Sequence, residues 1–207
     1  MTYPHNISRI EALSDAVFAF AATLLVVSVG MEKSSSVIQI DWLAFIGFGV
    51  SFFVLLALWF LHYNFFRRTK YLDEVIIALN AVLLFVVLYY VFPLKSLINS
   101  MTGMQRLSFE EVAELFQLYS LGFFLIFLCF CLMYYRAYIK TKVTEPNHDL
   151  LFYSRHFAIF VLVSALSIII AKSKVGILWA LPGLIYMLLG PLCYFHGVYF
   201  AKKFKLD

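Results

Sequence analysis

RIEALSDAVFAFAATLLVVSV, residues 9 to 29, is apolar and long enough to cross a bilayer as one α-helix. It nevertheless carries Arg9, Glu11, Ser14 and Asp15. A charge near the middle of a membrane helix costs about 2.5 to 3.5 kcal/mol on insertion scales, so it persists only where it faces protein or water and has partners. We therefore expect the functional residues of the chain to lie on or beside this helix.

The composition is that of a membrane protein. Hydrophobic residues make up 63% of the 207 residues and charged residues only 14%, against about 45 to 50% apolar and about 25% charged in soluble domains. The sixteen Lys and Arg lie mainly in short clusters between apolar runs, which is how loop charges orient a membrane protein. The net charge of +4 therefore indicates topology and not a nucleic-acid partner.

Six apolar segments follow one another along the chain, each close to the roughly 20 residues that cross the hydrocarbon of a bilayer. They cover residues 10–29, 42–66, 75–94, 112–135, 153–171 and 175–200. The segments between them are short and polar, and none has the size of a separate soluble domain. We therefore predict an all-α membrane protein with six transmembrane helices, forming a single domain over residues 1–207.

The distribution of basic residues predicts the orientation. With a cytoplasmic N-terminus, eleven of the sixteen Lys and Arg fall on the inside and five on the outside, which fits an even number of spans with both termini in the cytoplasm. The first segment does not resemble a cleavable signal peptide, because Glu11 and Asp15 interrupt what would be its uncharged core. We therefore expect a multi-pass protein of the cell membrane.

The sequence has no pattern typical of an enzyme or of a resident metal ion. Cys129, Cys131 and Cys193 lie inside apolar segments, where cysteine acts as a small hydrophobic residue, and they indicate neither a disulfide framework nor a zinc site. The sequence contains no His-Glu-x-x-His, no Gly-x-Ser-x-Gly and no histidine cluster. We predict that the protein is not an enzyme and has no metal or cofactor.

The first segment has two specialised faces. At about 100° per residue, Phe20, Thr23 and Val27 fall within about 60° of one another, whereas Glu11 and Asp15 share a face roughly opposite. One chain has a single stripe of this kind, which is too little to line a pore, and symmetric assembly would repeat it. Rings of Thr23 would then offer hydroxyl oxygens to a dehydrating cation, between hydrophobic rings of Phe20 and Val27. The alternative is ordinary helix packing, with Thr23 bonded back to a carbonyl of its own helix.

Partners for Asp15 are expected at similar depth in neighbouring spans. Trp59 and His62 lie at the end of the second span and Asn80 near the start of the third, so with a cytoplasmic N-terminus they share the inner leaflet with Asp15. Indole, imidazole and amide donors around a carboxylate form a satisfied network at low dielectric. We interpret this set as a structural polar network that holds the first three helices together. A proton relay or ion site formed by Asp15 and His62 is the alternative.

The first helix resembles the R-x-x-x-F-S-D signature of the transmembrane protein 175 family of potassium channels, and further matches follow in the family's order and spacing. In the first span these are Arg9, Leu13-Ser14-Asp15, Val17-Phe18-Ala19 and Thr23-Leu24-Leu25. In the next two spans they are Trp59, His62, Asn80 and Phe92-Pro93. The layout is similar to that of prokaryotic members with one six-span unit per chain, and the match is sharp over residues 9–30 and 55–93.

This resemblance implies a homotetrameric, potassium-selective channel in which the first helix of each subunit lines a central pore. The constriction it implies is formed by Phe20, Thr23 and Val27. The polar motif network it implies consists of Arg9, Ser14, Asp15, Trp59, His62 and Asn80. The partners are then further copies of the chain and the lipid bilayer, and potassium is the permeant ion. The sequence has no Thr-Val-Gly-Tyr-Gly stretch, which excludes a backbone-carbonyl filter of the usual type.

The chain departs from the family pattern at two positions. Leu13 stands where the family usually has Phe, which should weaken packing around the motif while leaving its polar groups in place. Phe20 stands where an Ile or Leu is expected at the constriction. Four phenyl rings around one axis would plug a pore more completely than four aliphatic chains.

Two other classes of function stay open. A proton-coupled transporter or a proton-permeable channel would use Glu11, Asp15 and His62 as titrating groups, but neither the internal repeats nor the broken helices of such transporters are evident in the sequence. A non-conducting accessory membrane protein is the second alternative.

Overall fold

The computed structural model describes residues 6–30, 42–101, 107–142 and 147–204, and all regular structure in these ranges is helical. The long helices are α1 (Ile7–Gly30), α2 (Trp42–Arg68), α3 (Glu74–Met101), α4 (Phe109–Thr141) and α5 (His148–Ser173). The last span consists of a 3₁₀ turn (Ile177–Trp179), a short helix α6 (Leu181–Leu184), a second 3₁₀ turn (Ile185–Leu188) and α7 (Leu189–Phe204). Six helical segments are long and apolar enough to cross a membrane, which confirms the predicted all-α architecture with six spans.

Several helices extend beyond the apolar segments predicted from the sequence. α4 covers 33 residues and begins three residues before its predicted span, and α5 begins at His148, five residues early. The polar start of α4 is stabilised by a capping box: the Ser108 hydroxyl accepts a hydrogen bond from the Glu111 N–H at 3.3 Å, and the Glu111 carboxylate accepts one from the Ser108 N–H at 2.7 Å. Hydropathy therefore marks the part of each helix within the hydrocarbon and not the helix ends.

The sixth span is broken near its start, where prolines such as Pro182 make a kink or a break tolerable. Gly176 and Ala180 have positive φ values of 67° and 51°, and Pro182 lacks the N–H that a continuous helix needs. The Pro182 carbonyl accepts a hydrogen bond from Ser167 Oγ at 2.8 Å, and Ser167 Oγ also lies 2.8 Å from Ser120 Oγ. The Pro182 carbonyl at the interruption is thus satisfied by Ser167 of α5, which is itself hydrogen-bonded to Ser120 of α4.

The first and last spans pack mainly against different neighbours. α1 contacts α2 and α3, α3 also packs against α4, α4 packs along α5, and α7 packs against α5. One stripe of α1 is buried in this arrangement, formed by Ser14, Phe18, Ala21 and Leu25. These residues recur every three or four positions and so share one face of the helix. The opposite face of α1 is exposed, as is most of α7.

Asp73 links the connection between α2 and α3 to α4 through hydrogen bonds and an ion pair. Its carboxylate accepts hydrogen bonds from the Ile76 backbone N–H at 3.0 Å, from the Tyr71 hydroxyl at 3.0 Å and from Arg136 Nε at 2.9 Å. Burial opposes the charged form, but the Ile76 amide, the Arg136 guanidinium and the Tyr71 hydroxyl together lower the pKa of Asp73 below its ordinary value of 3.8. The loop is therefore held by a charged group and not by packing alone.

Replacing Asp73 by Asn should lower the melting temperature of the detergent-solubilised protein at neutral pH by about 2 °C, because the amide keeps the cap on Ile76 but loses the charge that faces Arg136. A carboxylate whose pKa is lowered on folding stabilises the protein above its ordinary pKa, and this contribution is lost as the pH falls through the lowered value. The difference in melting temperature should therefore shrink as the pH falls below 3.8. A difference that stays constant with pH would assign Asp73 a purely steric role.

Candidate functional site

Three buried polar side chains join α1, α2 and α3. His62 Nε2 of α2 lies 2.7 Å from Asn80 Oδ1 of α3, and Asn80 Nδ2 donates to Ser14 Oγ of α1 at 3.1 Å. Ser14 Oγ in turn donates to the Ile10 carbonyl of its own helix at 2.8 Å. Each of the three polar residues is at least 97% buried. The predicted meeting of these helices around a polar centre is therefore present in the structure.

The hydrogen bonds of this network run in one direction. Ser14 uses its hydroxyl hydrogen on Ile10, so it accepts from the amide of Asn80, whose carbonyl oxygen then faces His62. His62 Nε2 must carry a hydrogen and donate it, because a carbonyl oxygen only accepts. The imidazole is held between the rings of Phe18 and Phe66, at centroid distances of 5.5 and 5.0 Å. The tautomer and the orientation of His62 are thus fixed by its neighbours.

Asp15 belongs to a separate contact between α1 and α2. Trp59 Nε1 donates to Asp15 Oδ1 at 2.8 Å, and the Trp59 indole stacks on Tyr63 with centroids 5.7 Å apart. Among the residues that the structure describes, no donor bonds Asp15 Oδ2, and no hydrogen bond joins Asp15 to His62. The side chain of Asp15 is exposed in the single chain. Asp15 and His62, the two groups considered for a proton relay, therefore have different partners. Asp15 Oδ2 accepts no hydrogen bond from the described residues.

Arg9 stands apart from the other motif residues. Its side chain is exposed in the first turn of α1, and over the described ranges it makes no hydrogen bond or ion pair. The structure thus brings together Ser14, His62 and Asn80 in one cluster and Asp15 and Trp59 in another. It leaves Arg9 outside both.

The stripe predicted to face a pore lies on the uncovered side of α1. Phe20 and Val27 are 56% and 55% exposed, and Thr23 is exposed between them. Thr23 Oγ1 donates to the Phe20 carbonyl at 2.7 Å, so its hydrogen is used within the helix. The lone pairs of the Thr23 oxygen remain available to an ion. The bond back to the helix is therefore compatible with a cation-facing role.

An open cavity of about 260 Å³ between α1 and α2 was not anticipated from the sequence. Asp15 lies at its rim with Trp59, and its walls include Ala19, Ala22 and Phe52. The two alanines are the only sequence signal for it, since small side chains three residues apart leave space on one helix face. Elsewhere in the described ranges, no group of three or more His, Cys, Asp or Glu is arranged to hold a metal ion.

Ser14→Ala and Ser51→Ala form a matched pair of variants. Both hydroxyls are fully buried and donate to the carbonyl four residues earlier, at 2.8 and 2.9 Å, but Ser14 also accepts the interhelical hydrogen bond from Asn80. Ser14→Ala should therefore lower the free energy of unfolding by about 1 kcal/mol more than Ser51→Ala, because it leaves an amide N–H of Asn80 unpaired. Unfolding in mixed detergent micelles measures both. Equal losses would mean that the bond between Ser14 and Asn80 adds no stability.

Comparison with known proteins identifies the family of the chain. The family model of the endosomal/lysosomal potassium channel TMEM175 matches residues 9–93. A potassium channel of Marivirga tractuosa is 37% identical over 155 residues, which are 68% of this chain and 63% of that protein. A potassium channel of Streptomyces collinus is 32% identical over 85 residues, or 38% of this chain and 41% of that protein. The chain thus matches less than two thirds of the length of these curated relatives.

Solved structures match over nearly the whole chain. A crystal structure of a variant of the potassium channel MtTMEM175, in complex with a Nanobody-MBP fusion protein, is 32% identical with a TM-score of 0.73, covering 94% of this chain and 93% of that one. A TMEM175 homologue from Chamaesiphon minutus has a TM-score of 0.60 at 21% identity over 95% of this chain and 96% of that one, which shows a shared fold. The polar contacts among α1, α2 and α3 lie within residues 9–93, the part that the family model matches. The chain belongs to the TMEM175 family.

Proposed function

We propose that this chain forms a potassium-selective cation channel whose pore is lined by α1. The observation that carries the proposal is the division of α1 into two faces. Ser14 and Phe18 turn inward against α2 and α3, while Phe20, Thr23 and Val27 stay uncovered. The names of the relatives, which are potassium channels, support the same function. The protein is then a transport protein and not an enzyme.

A homotetramer supplies the pore that one chain lacks. Rotation about a fourfold axis repeats the uncovered stripe of α1 and closes a ring, as cyclic assemblies of identical chains do. Asp15 supports this assembly, because one of its carboxylate oxygens has no partner among the described residues of its own chain. A donor from a neighbouring copy would satisfy it. The partners of the chain are then other copies of itself and the surrounding lipid, with no role for nucleic acid.

Selection in this pore depends on side chains. Rings of Phe20 and Val27 form hydrophobic constrictions that an ion crosses only after losing water, and the Thr23 ring between them offers oxygen lone pairs in place of that water. The Phe20 ring makes the narrowest point aromatic and leaves the resting pore nearly closed. Potassium is a transient occupant here, and the mechanism needs no resident metal, cofactor or carbonyl filter.

The charges at the helix ends support an orientation with both termini in the cytoplasm of a prokaryotic cell. Arg67 and Arg68 end α2, and Lys202 and Lys203 lie in the last turn of α7. Both helix ends lie on the side that this orientation places in the cytoplasm, where Lys and Arg are enriched in membrane proteins.

Reversal potentials of the purified protein in a planar bilayer, with potassium on one side and sodium on the other, test the proposal. A potassium-selective pore should shift the reversal potential toward the potassium equilibrium value. Thr23→Val keeps the shape of the side chain and removes the oxygen, so it should reduce this shift. The absence of any current from correctly assembled protein would contradict the proposed function.

Phe20→Ala should raise potassium flux into liposomes at least several-fold, because it opens the narrowest apolar ring and lowers the dehydration barrier. Phe18→Ala is the matched control, since Phe18 is 96% buried against His62 and lies on the other face of α1. This control should act through folding, lowering the melting temperature without a gain in flux. Equal flux from wild type and assembled Phe20→Ala protein would remove Phe20 from the constriction.

Asp15→Asn tests the role of the open carboxylate. Asn keeps an oxygen that can accept the Trp59 N–H, so the fold of the single chain should survive, while the charge offered to a neighbouring copy is lost. We expect the tetramer to dissociate at detergent concentrations that leave the wild type intact, as measured by cross-linking and size-exclusion chromatography. A normal tetramer with altered ion preference would instead place Asp15 in the pore.

A further inference from the structure

α5 and α7 form an antiparallel pair with a regular register. Ring contacts step along the pair at centroid distances of 4.7, 5.2 and 5.7 Å, between His148 and Phe204, Phe152 and Phe200, and His156 and His196. The two residue numbers of a pair add up to the same value in all three pairs, as they must when antiparallel helices keep one register. The start of α5 and the end of α7 therefore lie at the same surface of the membrane domain.

One side of this pair is exposed and largely apolar. Arg155, Leu162 and Ile169 recur every seven residues and so share one face of α5, and the two apolar members are 70% and 64% exposed. Phe195 and Tyr199 are large exposed side chains on α7. Because His156 faces His196, the residues just before them, Arg155 and Phe195, lie on the same side of the antiparallel pair. Exposed apolar residues along this side indicate contact with acyl chains.

Cationic and polar groups collect at one end of that side. On α7, Phe195, Tyr199 and Lys202 follow at intervals of four and three residues, which places them on one stripe. Lys202 is exposed near the end of α7, and Arg155 is exposed about 10 Å from the start of α5, at seven residues of 1.5 Å each. With the start of α5 placed at the membrane surface, this distance brings Arg155 near the boundary between headgroups and acyl chains. Long Arg and Lys side chains extend from such positions toward the headgroups.

Arg155 has no counter-ion within the described part of the chain. It forms no ion pair there: the ion pairs between described residues join Arg136 to Asp73 and Lys174 to Glu110. Asp149 is the sole carboxylate among the described residues of α5 and α7, and it makes no ion pair with Arg155. Within the described residues of α5 and α7, the positive charge at this site is therefore not balanced by a carboxylate.

We propose that Arg155, Tyr199 and Lys202 bind the phosphate of an anionic phospholipid at the lipid-facing edge of α5 and α7. A guanidinium presents paired N–H donors that match phosphate oxygens, the Tyr199 hydroxyl adds a donor, and Lys202 adds a second positive charge. A zwitterionic headgroup fits less well, because its ammonium would lie in a basic cluster. The principal contacts of α1 are with α2 and α3 and not with α5 or α7, so we place the lipid away from the proposed pore-lining helix.

Native mass spectrometry of the full-length protein, delipidated in detergent and titrated with phosphatidylglycerol or phosphatidylcholine, tests this site. The wild type should retain phosphatidylglycerol more strongly than phosphatidylcholine. Arg155→Gln and Lys202→Gln should each weaken phosphatidylglycerol retention about fivefold, the effect of one basic residue at an anionic surface, and leave phosphatidylcholine retention unchanged. Arg67→Gln and Lys203→Gln are matched controls with the same charge change on other faces, and both should bind as the wild type does.

Three outcomes overturn the proposal. Equal retention of the two lipids by the wild type would mean that the site does not prefer an anionic headgroup. Equal losses of phosphatidylglycerol from the test and control variants would mean that the preference reflects only the net charge of the protein. Displacement of phosphatidylglycerol by inorganic phosphate at the same concentration would make the site one for soluble anions. Tyr199→Phe provides a test that changes no charge and removes one exposed hydroxyl. We expect it to weaken phosphatidylglycerol retention measurably, but less than the charge variants do, and to leave phosphatidylcholine retention unchanged. These measurements do not depend on potassium conduction.

Discussion

The hydrogen bond from Asn80 to Ser14 fixes how α1 is rotated about its own axis. Ser14 is the one polar member of the buried stripe of α1, and its partner lies on α3, where Asn80 also accepts from His62 of α2. A helix with apolar residues on every side has little preference for any rotation, because lipid and protein interior are similarly apolar. One polar residue that must be satisfied removes this freedom. The hydrogen bond turns the Ser14 face of α1 inward, and Phe20 and Val27 are therefore left on the uncovered face.

The rest of the domain is held by other means. α4 and α5 contribute aromatic contacts such as those of Phe127 with Phe157 and Phe160, with centroids 5.6 and 4.5 Å apart. Their polar contacts reach both the connection between α2 and α3, through Arg136, and the broken last span, where Ser167 bonds the Pro182 carbonyl. The fold thus combines a polar centre at α1 to α3 with an aromatic centre at α4 and α5. The aromatic half leaves most of α7 exposed, and the proposed headgroup site lies on that helix.

Much of this arrangement was predictable, because the bilayer restricts what an apolar sequence can do. Hydropathy located six spans, and the requirement that polar groups be satisfied in a membrane indicated that Asp15, Trp59, His62 and Asn80 would find partners. Which donor meets which acceptor was not predictable. Asp15 and His62 were expected together, yet Trp59 bonds the carboxylate and Asn80 bonds the imidazole. Such choices depend on ångström-scale helix positions, which spacing along the chain does not define.

The other differences also have physical reasons. Arg9 is exposed in the first turn of α1, so its presence in a sequence motif did not require a partner within the chain. The break in the sixth span depends on Ser167, fifteen residues before Pro182 in sequence and adjacent only in the fold. Proline in a membrane helix permits a kink or a break, and the neighbouring helices decide which.

The hydrogen bond from Thr23 to the Phe20 carbonyl determines the polarity of the proposed ring as well as its geometry. A hydroxyl that points its hydrogen at its own helix cannot donate it to a passing chloride, whereas its oxygen can still face a positive ion. Four such groups would reject anions without a single carboxylate at the constriction. Charge discrimination would then come from the orientation of neutral dipoles, and it would be insensitive to pH across the range in which acidic side chains titrate.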